Sequence, residues 1–163
     1  MWFKNPADAQ AVACAILEVL KLPASSSGMT VYRKKILVCM CRELEKLLNV
    51  RRSIAAQREA DKLGIGDLRR FGWVDQTKKT GPSRSIFHFE HMYPVKMLVD
   101  RLDALERPTV NHIEQIISDA VIVWITKDEN RELDRLKLRH ARSDVEKAYR
   151  DAGIVVHSES DAP

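Results

Sequence analysis

The sequence predicts a mostly α, α+β domain: about seven helices and one small antiparallel strand pair, the second strand running straight into a capped helix. Three observations predict it. Apolar residues recur at three- and four-residue steps along most of the chain, as in helices that bury one face. Two short runs, Ile86-Phe87-His88-Phe89-Glu90-His91 and Ala120-Val121-Ile122-Val123-Trp124-Ile125, are rich in β-branched and aromatic residues and read as strands. Directly after the second run, Thr126-Lys127-Asp128-Glu129 has the spacing of a capping box. There the Thr126 hydroxyl takes the Glu129 amide and the Glu129 carboxylate returns to the Thr126 amide.

The elements follow in order. Asn5 caps a first helix with Pro6 in its first turn, and Val12, Ile16, Val19 and Leu20 form its apolar face. Leu22-Pro23-Ala24-Ser25-Ser26-Ser27-Gly28 is a loop signal. Thr30 is positioned to cap a second helix whose face is Leu37, Met40, Cys41, Leu44, Leu47 and Leu48. Residues 51–62 read as a third, more polar helix with Ile54 and Ala55 inward, stopped by Gly64 and Gly66. Residues 67–73 read as a single helical turn and 76–85 as a loop. After the first strand, Val95, Leu98, Val99, Leu102 and Leu105 mark a helix, and Pro108-Thr109 opens another carrying Val110, Ile113, Ile116 and Ile117. The capped helix is expected to run to about His140, with Leu133, Leu136 and the Lys137 stem inward. Ser143 would cap a last helix, ended by Gly153. Residues 1–156 are read as one domain and 157–163 as a flexible tail.

Composition narrows the class. At 163 residues the chain is long enough to bury a sizeable core, and 45% hydrophobic with 31% charged residues is an ordinary soluble mixture. The run 120–125 is far too short to span a bilayer, and the first residues lack the order of a secretory signal. Both predict a cytoplasmic protein with no membrane partner. Cys14, Cys39 and Cys41 have no Cys-x-x-Cys spacing, which predicts buried, unreacted thiols rather than a zinc site or disulfides. The net charge of +4 is mild, but nine basic residues against four acidic ones fall between Arg51 and Arg84. Such a local surplus attracts phosphate-rich partners; a solvated surface of mixed sign is the alternative.

The chemistry concentrates in the first strand and the Tyr93-Pro94 turn after it. An acid directly before a histidine, at the end of a strand, can set an oxygen ligand for a hard cation beside a general base. The strand ending in Glu90-His91, a second strand and a helix carrying Asn130 resemble the HNH, or ββα-metal, nuclease superfamily over residues 86–139. The resemblance implies that His91 is the base, and that Glu90 and Asn130 hold Mg²⁺ or Mn²⁺ for phosphodiester hydrolysis. His88 shares the strand face of Glu90 by alternation and is a candidate third ligand. The chain departs from the family in inserting two helices between its strands, and the base-orienting loop Asn has no clear counterpart, although Asn111 is available.

Lys78, Lys79, Arg84, Lys127, Arg131 and Arg139 are the candidate nucleic-acid contacts. Each has a structural alternative: Glu90 and His91 as an ion pair and a half-buried histidine, Asn130 as a surface amide, and the helix cations as partners of Asp128, Glu132 and Asp134. Trp73 and Trp124 read as core anchors rather than stacking platforms. Two functions are therefore expected: a metal-dependent nuclease or nuclease-like protein, or a non-catalytic helical module that binds nucleic acid or protein. A protein partner or a homo-oligomer stays open.

Overall fold

The computed structural model describes residues 2–23, 25–77, 85–138, 142 and 144–157. Seven α-helices and a three-stranded sheet are found among them, the mostly α, α+β architecture expected. The chain divides into two compact units, Met1–Leu48 with Tyr93–Ala120, and Asn49–Met92 with Val121–Pro163.

The first unit is helical. It contains α1 (Pro6–Leu20), α2 (Ser27–Glu43), α4 (Val95–Asp103) and α5 (Val110–Ile117). Helix α1 packs on α5 and α2 on α4, burying Ala13 and Ile16, Leu37 and Cys41, Leu98 and Leu102, and Ile113 and Ile117. Asn5 caps α1 as expected, its side chain accepting the Ala7 amide at 3.1 Å. The cap of α2 is Ser26 and not Thr30: Ser26 Oγ accepts the Met29 amide at 3.2 Å, and the Thr30 hydroxyl donates back to the Ser26 carbonyl. The helix begins a full turn early because Ser26 is extended and a serine there already satisfies a free amide.

The second unit holds the sheet. Its strands are β1 (Val50–Arg52), β2 (Phe87–His91) and β3 (Ile122–Thr126), in the order β1-β3-β2. Strand β2 runs antiparallel to β3, as anticipated, with Phe89 opposite Trp124 and Glu90 opposite Val123. Strand β1 is the addition. Arg51 and Arg52, read from sequence as helical, pair in parallel with Val123 and Trp124. Pairing overrides propensity here. The Ser53 amide continues the ladder to the Trp124 carbonyl at 2.8 Å before α3 (Ile54–Lys62) begins. The inward residues of α3 are Ala56 and Ala60, while Ile54 is half-buried and Ala55 exposed, because the cap at Ser53 sets the phase. The outer edge of β1 is covered by the C-terminal segment: Ile54 donates to Val155 O and His157 to Arg52 O. His157 is thus tied to the sheet rather than starting a free tail. Positions 158–163 of that expected tail lie outside the described residues.

Trp124 is fully buried, with Phe87 and Phe89 edge-on to its ring and its indole N–H on the Phe71 carbonyl at 3.1 Å. Trp73 is not the core anchor expected. It is 43% exposed and rests one face near Phe89.

The capping box at the start of α6 (Lys127–Arg135) is present in full. The helix stops five residues before the expected end. Its last turn closes through Lys137 N–H to Asp134 O and Leu138 N–H to Leu133 O, with Lys137 in the left-handed region at φ 59°. Leu133 is buried, Leu136 half-buried and the Lys137 stem exposed. Helix α7 (Val145–Asp151) is capped by Asp144, which accepts the Lys147 amide at 2.8 Å, in place of Ser143. Ser143 itself lies outside the described residues.

Candidate functional site

The alternation of β2 sends Phe87 and Phe89 to the aromatic face and His88 and Glu90 to the other. On that second face, which alternation assigns to both side chains, His88 Nε2 lies 3.0 Å from Glu90 Oε2, a contact that sequence reasoning gives to His91. The other carboxylate oxygen is taken by a residue that sequence reasoning missed. Arg142 Nη2 donates to Glu90 Oε1 at 2.5 Å.

The Arg142 side chain is fully buried. It donates through Nη1 to Met92 O at 2.6 Å and His91 O at 3.3 Å, and through Nε to Leu138 O at 2.6 Å. Its guanidinium carbon stands 5.5 Å from the centre of the Tyr149 ring. A charge this deep is tolerable only when paired and hydrogen-bonded, and Arg142 is both. Burial by itself would raise the Glu90 carboxyl. The His88 hydrogen bond and the charge and hydrogen bond of Arg142 outweigh it and hold Glu90 below the ordinary carboxylate value. Burial, with the Glu90 charge second, pushes the Tyr149 phenol upward, so it stays neutral.

His91 closes β2 opposite Ile122, and Asn130 is buried on α6. Among the described residues no group of three or more His, Cys, Asp or Glu is arranged to hold a metal ion. Both oxygens of Glu90 are engaged, so the donor set as it stands does not fit a divalent cation.

A second feature lies in the same unit. Helices α3 and α6 start side by side, because Ser53 serves both. Its Oγ accepts the Ala56 amide at 3.0 Å and donates to Glu129 Oε2 at 2.8 Å, the oxygen that also takes the Thr126 amide at 2.7 Å. From this shared start the two helices wall an open cleft of about 630 Å³. Ala55, Arg58 and Lys62 line the α3 wall, Lys127 and Arg131 the α6 wall, and Ser85 and Ile86 complete the lining. Lys62 pairs with Glu59 at 2.6 Å and Arg131 pairs with Asp128. Glu129, the third acid of the lining, is turned into the capping box. Arg58 and Lys127 have no ion-pair partner among the described residues.

Two predicted nucleic-acid contacts, Lys127 and Arg131, thus meet in one cleft. Arg58 and Lys62, seen in sequence only as part of the local positive surplus, join them. Lys78, Lys79, Arg84, Arg139 and His140, the expected end of the capped helix, lie outside the described residues. Part of the surplus is engaged within the protein: Arg52 is buried against Asp67 at 3.4 Å, exposed Arg69 forks onto the same carboxylate, and Arg51 donates to His157 O at 2.8 Å. No family model, curated protein or solved structure matches the chain.

Proposed function

We propose that this protein is a non-catalytic module that binds nucleic acid through the phosphate backbone. The observation that carries the reading is the cleft between α3 and α6, with two cations on each wall and Arg58 and Lys127 unmatched by acids. Phosphate contacts from Lys and Arg supply affinity without needing a reaction. The Glu90 cluster supports the same reading from the other side. Its carboxylate is committed to Arg142 and His88, which makes it part of the frame.

The test is a salt titration of binding to a mixed-sequence nucleic acid. Affinity should fall as salt rises, and Arg58→Ala with Lys127→Ala should flatten the slope of log K against log salt by about one per lost contact. Binding that ignores both salt and these changes overturns the reading and points to a protein partner.

A second reading, metal-dependent cleavage with His91 as base and Glu90 and Asn130 as ligands, is supported by one feature. Strand β2 runs antiparallel to β3, which leads directly into α6. It requires Arg142 to release Glu90. Cleavage of plasmid or single-stranded substrate in Mn²⁺, lost in His91→Ala, would favour it. A protein that binds and never cuts leaves the first reading standing.

A further inference from the structure

Resting on that nucleic-acid reading, we infer that the cleft between α3 and α6 takes one or two nucleotides of a single strand rather than the side of a duplex. The argument is one of shape. The four cations line the facing walls of a recess and do not stand on a convex surface. A volume of about 630 Å³ sits in the range that encloses a small organic ligand, so it admits a nucleotide or two and no double helix. A duplex could offer phosphates only at the rim, within reach of one wall at a time. A single strand can enter, so that one sugar–phosphate segment meets Arg58 from α3 and Lys127 from α6 together.

The apolar part of the lining suits such a guest. Ala55 and half-buried Ile86 give an apolar surface for a sugar or base face. On each wall the two cations are four residues apart, a rise of about 6 Å along a helix. That rise is comparable with the step between neighbouring phosphates on one strand. The walls are also fixed: Ser53 bonds Glu129, and the Lys127 amide donates to Ile86 O at 2.8 Å. A fixed recess selects by fit, since widening it to admit a duplex would break these bonds.

Fluorescence anisotropy at low salt tests this with three probes: a mixed-sequence single strand of about ten nucleotides, the matching duplex, and a mononucleotide. The strand should bind at least about tenfold more tightly than the duplex, and more tightly than the mononucleotide. Arg58→Ala/Lys127→Ala should remove that preference while the thermal melt stays in place, because Arg58 is exposed and Lys127 half-buried. Equal affinity for strand and duplex overturns the inference and leaves backbone binding intact. A mononucleotide that binds as well as the strand also overturns it, making a free nucleotide the ligand. Failure of every probe to bind overturns the underlying reading as well.

Discussion

Arg142 reaches the end of β2 from 52 positions away in sequence and donates to Glu90 Oε1 at 2.5 Å, with its own side chain fully buried. Three carbonyls, of His91, Met92 and Leu138, take three more of its donors. The guanidinium thus ties the strand end to the segment following α6. Removing it leaves a buried carboxylate without its main counter-charge and three carbonyls without a donor. Arg142→Ala should therefore destabilise the protein by about 3–5 kcal/mol, measured by urea unfolding. Arg142→Lys should recover only part of this, since an ammonium cannot reproduce the planar fork. A loss below about 1 kcal/mol would show that the pair contributes little.

The same pair sets an acid limb. Glu90 is held below its ordinary value of 4.5 in the folded state. Its contribution to stability is then fully present above that value and is lost as pH falls through the lower folded value. Asp67, lowered by Arg69 and Arg52 against its own desolvation, acts in the same direction. Thermal melts from about pH 6 to about pH 3 should show stability falling on the acid side, and Glu90→Gln should make that fall shallower. An unchanged acid limb in the variant would remove Glu90 as its source.

Ser53 is fully buried and serves two helix starts. Ser53→Ala removes the acceptor for the Ala56 amide and the donor to Glu129, so it should cost about 1–2 kcal/mol by denaturant unfolding. It should also loosen the cleft walls, weakening binding by more than the unfolded fraction accounts for. Glu129→Ala should cost less in α3 than in α6, because Ser53 would still cap α3; hydrogen exchange at the two helix starts would separate them.

Local signals in the chain were legible where their partners lie nearby in sequence. The Asn5 cap, the Thr126–Glu129 box and the alternation through β2 each involve residues within four positions, and each is found in the structure. The misses share the opposite cause. Strand β1 exists because Arg51 and Arg52 meet Val123 and Trp124, some seventy positions later, and nothing local in Val50-Arg51-Arg52 announces it. Arg142 gave no periodic signal, and its burial depends on carbonyls at Leu138, His91 and Met92. The cleft was half legible: Lys127 and Arg131 were candidate nucleic-acid contacts from sequence, but the facing Arg58 and Lys62 became visible only once Ser53 brought two helix starts together.

The three thiols separate by burial. Cys41 is buried in the first unit, and desolvation pushes its thiol up to about 12, whereas Cys14 and Cys39 are exposed. The sequence expectation of uniformly buried thiols is corrected for these two. Since the thiolate is the reacting form, a neutral-pH thiol assay on native protein should titrate Cys14 and Cys39 promptly and Cys41 only after denaturant is added. Prompt reaction of all three would mean that the α2 core opens readily.

Three helices of the second unit end in the same way, and one of them uses the wrong residue for it. After α3, Gly64 at φ 68° donates to Asp61 O, and Ile65 to Ala60 O. After α7, Gly153 at φ 69° donates to Arg150 O, and Ile154 to Tyr149 O. After α6 the same pair of bonds forms around Lys137 at φ 59°. Each is a Schellman closure, which needs one residue in the left-handed region. Glycine enters that region without a steric penalty, whereas a side chain costs about 1–2 kcal/mol there. The Lys137 side chain is exposed, so little packing is lost with it. Lys137→Gly should therefore stabilise the protein by about 0.5–1 kcal/mol, the strain relieved less the extra freedom glycine gives the unfolded chain. Lys137→Val should destabilise it, since a β-branched residue suits positive φ least. Paired urea titrations of the two variants decide the matter: a glycine variant weaker than wild type would mean that the Lys137 side chain contributes more than its backbone strain costs.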